Sequence, residues 1–166
     1  MEKLYEKPVD SEQIFYYVYA VLYSRNYRKK FATFLAEDFP KIPFTKNFKV
    51  FEKMSNLGKE LVSLHTNKIK LTPKTKFNIS GSNKVERIKF EDGKIFINDL
   101  QFFEVISEDI WNFSIGSYSV LKKWLEGKEN KILENKDIEQ FLQLPEILQK
   151  TISCMDEIDK IISTEI

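Results

Sequence analysis

Few side chains in this 166-residue chain are spaced for bond-making chemistry. The single histidine, His65, has no cysteine near it and no HExxH pattern around it, so a metal-bound or general-base role has no second group to work with. The expectation for it is a hydrogen-bonded histidine at a helix end. No GxSxG elbow, phosphate-cradling glycine loop or GxGxxG fingerprint occurs. The acidic pairs Glu37-Asp38, Glu108-Asp109 and Asp156-Glu157 are adjacent in sequence. Adjacent helical residues point in different directions, so such pairs are solvated rather than cooperating. The one cysteine, Cys154, excludes an internal disulfide and a multi-cysteine zinc site, and its apolar helical setting makes it a core or boundary residue. What remains is the chemistry of cations and aromatic rings. Tyr16, Tyr17, Tyr19 and Tyr23 run into Arg25, Arg28, Lys29 and Lys30. Arginines and lysines neutralise phosphates, and surface tyrosines beside them stack on bases or bond phosphate oxygens. The plainer reading of the same tyrosines is that they roof a core.

The distribution of charge bears on the first reading without deciding it. The chain as a whole is only +1. Residues 25–89 hold 16 Lys and Arg against 5 Asp and Glu, residues 1–24 hold 2 against 4, and residues 90–166 hold 8 against 16. A segment this basic in a neutral chain is a candidate electrostatic footprint for phosphates. The alternative is a lysine-rich solvated surface, in keeping with a composition that favours Lys, Ile, Asn and Phe. Hydrophobic residues make up 42% of the chain, with 14 Phe and 7 Tyr, which is a globular composition rather than a disordered one. One domain over residues 1–166 is expected, with a basic DNA-facing part at about 25–89 and an acidic helical part at about 100–166. No signal peptide or long apolar run is present, so a cytoplasmic protein is expected.

The elements that must position these residues can be read along the chain. Asp10 or Ser11 caps a helix, with Gln13 in a capping-box position, and Ile14, Phe15, Val18, Val21 and Leu22 repeat at helical spacing. Ser24 interrupts it and caps a second helix from Arg25 to Leu35, with Tyr27, Phe31, Phe34 and Leu35 as its buried stripe. Pro40 and Pro43 force an extended corner. A third helix fits Asn47 to His65, and residues 66–83 are an irregular or short-strand insertion with exposed lysines. Asp92-Gly93 marks a hairpin turn, with Phe90 facing Ile95 and Glu91 facing Lys94. A helical turn is expected at 107–112, a helix starting at Gly116-Ser117, a helix capped by Asn135 and interrupted at Pro145, and a last helix from about Glu146 to Ser163. The fold class is α+β, mostly helical with a small antiparallel β-hairpin or sheet.

Three blocks, YVYAVLYSRNYRKKFATFLAEDFPKIPF, FEKMSNLGKELVSLH and IWNFSIGSYSVLKKWLEGK, the last preceded by the hairpin VERIKFEDGKIFIN, occur in an order and spacing that resemble one family. It is the carboxyl-terminal specificity domain of Type ISP restriction–modification enzymes and related fused adenine methyltransferase–endonucleases. The resemblance runs from about Ile14 to Ile162. It rests on Tyr27-Arg28, the Pro-x-Ile-Pro corner and the Gly-Ser-Tyr-Ser-Val-Leu-x-x-Trp-Leu block as a set. It implies a target recognition domain, part of a site-specific adenine DNA methyltransferase and restriction endonuclease of bacterial type, that reads double-stranded DNA for catalytic modules. The Asn-Pro-Pro-Tyr methyltransferase motif and an S-adenosylmethionine-binding motif are absent. The resemblance therefore places methyltransferase, motor and nuclease modules in cis or on a separate subunit, and S-adenosylmethionine, ATP and Mg with those modules rather than with this chain. The corner has Lys41 where the family favours arginine; lysine keeps the charge but loses the bidentate fork.

On this reading Arg25, Arg28, Lys29, Lys41 and Lys46 supply phosphate contacts and salt-dependent affinity. The insertion (Lys68, Lys70, Lys74, Lys76, Asn78, Ser82, Asn83) and the 112–118 loop (Asn112, Ser114, Ser117, Tyr118) hold backbone or read base edges. Trp111 and Trp124 are expected in the core, Gly116 in a turn that needs positive φ, and no residue is assigned to catalysis or to a metal. The acidic half faces away from DNA. The competing reading is a non-catalytic protein-interaction or structural module, built on the apolar stripe of the last helix.

Overall fold

A computed structural model describes residues 5–78 and 80–165 of the chain, the side chain of Glu165 excepted. The elements in chain order are α1 (Ser11–Tyr23), α2 (Arg25–Lys30), α3 (Ala32–Glu37), α4 (Phe48–His65), β1 (Lys76–Phe77), β2 (Lys89–Glu91), β3 (Lys94–Phe96), β4 (Phe102–Glu104), α5 (Glu108–Trp111), β5 (Ser114–Ile115), β6 (Tyr118–Ser119), α6 (Val120–Glu126) and α7 (Asn135–Glu165). This is the mostly helical α+β class with small antiparallel sheets that the sequence predicts. Among the described residues no helix is long and apolar enough to cross a membrane. The chain divides into two compact units. One holds the residues up to Ile69 and those from Thr151 onward; the other is Lys70–Lys150.

In the first unit, α1 opens on the expected capping box. Asp10 Oδ1 accepts from the Gln13 N–H at 2.7 Å, and Gln13 Oε1 accepts from the Asp10 N–H at 3.2 Å. Helices α1 and α4 meet along small residues. Ser55 donates its hydroxyl to the Gln13 carbonyl at 3.0 Å, and a Cβ on Gly58 would stand 1.9 Å from the Tyr16 carbonyl oxygen. The core around this contact is Tyr17, Ala20, Val21, Tyr27, Phe51, Met54 and Leu61, joined from α7 by Cys154 and Ile158. His65 closes α4 as a half-buried link, with Nδ1 2.8 Å from the Tyr19 hydroxyl and Nε2 3.0 Å from the Thr151 hydroxyl. Ser24 caps α2, accepting from the Tyr27 N–H at 3.0 Å. The single helix expected over Arg25–Leu35 is broken. Phe31 leaves helical geometry (φ −111°, ψ 21°) and its ring packs back on Tyr27 with centroids 5.0 Å apart. Phe31, Phe34 and Leu35 are consequently half-buried instead of core.

The second unit is built on a four-stranded antiparallel sheet in the order β1-β4-β3-β2. The hairpin register is the predicted one, Phe90 opposite Ile95 and Glu91 opposite Lys94. Asp92 (φ 49°) and Gly93 (φ 73°) both take the left-handed conformation that a two-residue hairpin turn requires. Phe77, Phe103, Ile95 and Phe90 form one row across the sheet. Phe103 packs on Phe141 of α7 at 4.2 Å and Phe90 stacks on Trp111 at 5.4 Å. Trp124 also packs on Phe141 at 5.1 Å, and both tryptophans are half-buried. A buried amide cluster closes the sheet's loops: Gln101 Nε2 donates to Asn83 Oδ1 at 2.7 Å, and Asn98 Oδ1 accepts from the Gln101 N–H at 2.8 Å.

Two elements expected from the sequence need correction. Gly116-Ser117 is not a helix start but the turn of the β5–β6 hairpin, with Ile115 paired to Tyr118; the helix begins only at Val120. The positive φ expected of Gly116 is present (61°), in the service of a different turn. Pro145 does not interrupt the last helix, which is continuous from Asn135 to Glu165. A proline removes one intrahelical hydrogen bond. Buried residues on either side of it, Phe141, Ile147 and Leu148, anchor the helix through that defect.

Candidate nucleic-acid interface

In the first unit the basic cluster and the corner lysines singled out in the sequence stand on two supports. Helix α2 carries Arg25, Arg28, Lys29 and Lys30, and the extended stretch after α3 carries Lys41 and Lys46. An extended chain alternates its side chains and its carbonyls. Here the carbonyls keep that alternation, while the side chains leave it after Phe44, where Thr45 is buried and Lys46 exposed. The carbonyls of Lys41, Pro43 and Thr45 accept from the hydroxyls of Tyr27 (2.9 Å), Tyr17 (2.8 Å) and Tyr5 (2.6 Å). Ile42 packs on the core, and Phe44 stacks on Tyr17 with ring centroids 5.0 Å apart. Phe39, Lys41 and Lys46 are left exposed, with the Lys41 ammonium 4.9 Å from the Phe34 ring centre. Burial, opposed by the hydrogen bond from the Thr45 N–H, pushes the Tyr17 hydroxyl up to about 12, so it stays protonated and donating at any physiological pH.

The cations differ in their freedom. Arg25 is not free: its guanidinium is hydrogen-bonded to Asp156 and, at 2.7 Å, to Asp159, and those two bonds hold it more firmly protonated. Asp159 also accepts from the Ser24 hydroxyl at 2.7 Å and the Asn26 N–H at 3.2 Å. Its burial would raise the carboxyl, but the bonds from Ser24, Arg25 and Asn26 outweigh that and hold it below the usual carboxylate range. Arg25 therefore fastens α2 to α7. Among the described residues no carboxylate stands within ion-pair distance of Arg28, Lys29, Lys41 or Lys46.

In the second unit Lys70, Lys74 and Lys76 are exposed, and Thr75 between the last two is buried, so the strand alternation turns both lysines to solvent. The backbone there is fixed: the Leu71 N–H donates to Gln143 Oε1 at 3.1 Å and the Lys74 N–H to Glu146 Oε1 at 2.9 Å. Asn78 is not available to read a base. Its amide donates to the Leu100 carbonyl at 2.7 Å, and its oxygen accepts from the Phe102 N–H. Asn83 Oδ1 accepts from Gln101 Nε2 at 2.7 Å, and the Asn83 N–H donates to Gln101 Oε1 at 2.7 Å. Lys68, Ser82 and Asn112 are exposed. Ser114, Ser117 and Tyr118 are exposed on the β5–β6 hairpin, Ser117 in its turn, Tyr118 beside the turn and Ser114 opposite Ser119, and a Cβ on Gly116 would meet nothing within 4 Å. Arg28, Lys29, Lys41 and Lys46 thus belong to one unit, and Lys70, Lys74, Lys76 and the hairpin trio to the other.

Sequence reasoning missed the three tyrosine hydroxyls that hold the corner, and the exposure of Phe39. No two-residue phase announced the second, since Pro40 is exposed and Thr45 buried. Among the described residues no group of three His, Cys, Asp or Glu side chains is placed to hold a metal ion.

Residues 1–163 match the family model of the Type ISP C-terminal specificity domain. No curated protein matches the chain. Solved structures similar to it include a nuclease-deletion mutant of the Type ISP restriction–modification enzyme LlaGI in complex with a DNA substrate mimic (23% identity, TM-score 0.74, over 90% of this chain and 14% of that one). The ATP-dependent Type ISP restriction–modification enzyme LlaBIII bound to DNA is similar at 23% identity and a TM-score of 0.75, over 90% of this chain and 11% of that one. The DrdV–DNA complex is similar at 22% identity and a TM-score of 0.76, over 94% and 18%. At these identities the likeness is one of fold, and the chain spans less than a fifth of the length of each of these structures.

Proposed function

This chain belongs to the Type ISP C-terminal specificity domain family, and from that membership we propose that it reads duplex DNA for a restriction–modification system. The match over nearly the whole chain carries the proposal; the DNA present in the similar structures and the unpaired cations of the interface support it. Arg28, Lys29, Lys41 and Lys46 contact phosphates from the first unit, and Lys70, Lys74 and Lys76 from the second. Such contacts give affinity without sequence information. Ser114, Ser117 and Tyr118, on a short hairpin with small polar side chains, are suited to base edges. Arg25 and Asn78 act indirectly, the first by fixing α2 and the second by fixing β4.

Methylation, translocation and cleavage are the work of other modules, in cis or on a separate subunit, and S-adenosylmethionine, ATP and Mg would be bound by those modules in the cytoplasm. The test is retention of a randomised duplex pool at several salt concentrations, with sequencing of what is retained. An enriched motif with steep salt dependence is the expected result. Absence of retention even at low salt would overturn the reading and favour a protein-interaction module.

A further inference from the structure

Phe39 is 86% exposed, the most exposed large apolar side chain among the described residues, and no described aromatic ring lies against it. A mobile loop would explain such exposure, but this ring stands on fixed backbone. Its N–H donates to Asp38 Oδ1 at 2.7 Å, and Pro40 confines it to the extended region. Two residues on begins the run of carbonyls held by Tyr27, Tyr17 and Tyr5. The same anchoring seats Phe44 on Tyr17 and Ile42 on the core, so the apolar needs of this stretch are met without Phe39.

We infer that Phe39 is a wedge that inserts against a base step of duplex DNA, steadied by the ammonium of Lys41 on the adjoining phosphate. The inference rests on the DNA reading proposed above and goes beyond it. Phe39 and Lys41 are both exposed and lie two residues apart, about 7 Å from each other at the backbone of an extended chain. An apolar ring beside a cation is what a stacked base step flanked by phosphate accommodates. A protein partner is the poorer fit. Apolar docking needs a contiguous patch around a central anchor, whereas the neighbours of Phe39 in the chain are Asp38, Pro40 and Lys41. A wedge needs only the one ring.

The experiment uses the full chain, as wild type, Phe39→Ala and Phe39→Trp, with the randomised duplex pool as probe. Both substitutions are at a solvent-exposed position, and circular dichroism checks that the fold is retained. Phe39→Ala is expected to weaken binding roughly tenfold, the effect of losing one base–aromatic stack, with an unchanged salt slope. Phe39→Trp is expected to keep affinity and to show quenching of its emission on adding duplex, beyond that of the wild type, whose signal comes from Trp111 and Trp124. Salt-dependent binding with an indifferent Phe39→Ala and an unquenched Trp would overturn the wedge while leaving DNA reading intact. A blue shift that grows with protein concentration and needs no DNA would overturn it in favour of a second copy of the chain. No binding by the wild type would overturn the DNA reading and the wedge with it.

Discussion

Arg25 and Arg28 sit one helical turn apart and look alike in the sequence, yet Arg25 is tied to two carboxylates and Arg28 has none within ion-pair distance among the described residues. The difference lies in Asp156 and Asp159, more than a hundred residues away, and no local pattern announces them. What is legible locally is Ser24 as a cap and His65 as a hydrogen-bonded helix end, because capping and the lack of partner ligands are local properties. Asp159 is the centre of its cluster and nearly buried, so Asp159→Ala leaves the Ser24 hydroxyl and the Asn26 N–H without that acceptor and the Arg25 guanidinium with Asp156 alone. A loss of about 2–3 kcal/mol in urea unfolding is expected. Two acid transitions should also separate. Burial lowers the proton affinity of His65, so the unfolded chain takes up that proton first, and stability begins to fall as the pH drops below about 6.5. Asp159 has a depressed carboxyl, so its contribution is whole above the ordinary aspartate range and is lost as the pH falls through the depressed value. Unfolding midpoints measured against pH should lose the upper limb in His65→Gln and the lower limb in Asp159→Ala. Unchanged profiles would mean that neither group differs between the folded and unfolded chain.

Elements were legible where one local rule decided them. The β2–β3 register follows from Asp92-Gly93 and the facing apolar residues, and α4 from its three- and four-residue spacing. Strand β4 was missed because Phe102 and Phe103 are consecutive and show no alternation; its pairing to β1 and β3 is what makes it a strand. At Gly116 the local rule gave the right conformation and the wrong element, and at Pro145 it gave a break where packing on both sides keeps the helix continuous. Glycine itself offers a pair of contrasting tests. At Gly58 a Cβ would meet the Tyr16 carbonyl at 1.9 Å, and backbone cannot rotate away. Gly58→Ala should therefore cost about 2–3 kcal/mol, even though alanine is worth ~1 kcal/mol more than glycine inside a helix. At Gly116 nothing stands within 4 Å, and only the positive φ opposes a side chain. Gly116→Ala should cost about 1 kcal/mol. Denaturant midpoints of the two variants side by side decide the matter, and a stabilised Gly58→Ala would rule out the close α1–α4 approach.

At the scale of the molecule the charge segregation of the sequence does not survive folding. The first unit contains 13 Lys and Arg against 12 Asp and Glu, and the second 13 of each. The acidic end of the chain, Asp156, Glu157 and Asp159, folds into the same unit as the basic helix α2, and two of its carboxylates take up Arg25. Neither unit is a uniformly basic body, so attraction to DNA has to come from particular unpaired cations rather than from net charge. That makes position the variable to test. Arg28→Glu with Lys29→Glu removes two unpaired cations of α2. Lys123→Glu with Lys136→Glu changes the net charge equally, but in the second unit and at lysines already paired with Glu126 and Glu134. If binding is local, the first pair should flatten the salt dependence of log Kd by about 2, roughly 0.9 for each phosphate no longer neutralised, and weaken binding at low salt. The second pair should leave the slope near the wild-type value, with a small shift in affinity from the longer-range field. Equal losses in both pairs would show that the duplex responds to total charge alone, and the phosphate-binding role assigned to α2 would then have to be given up.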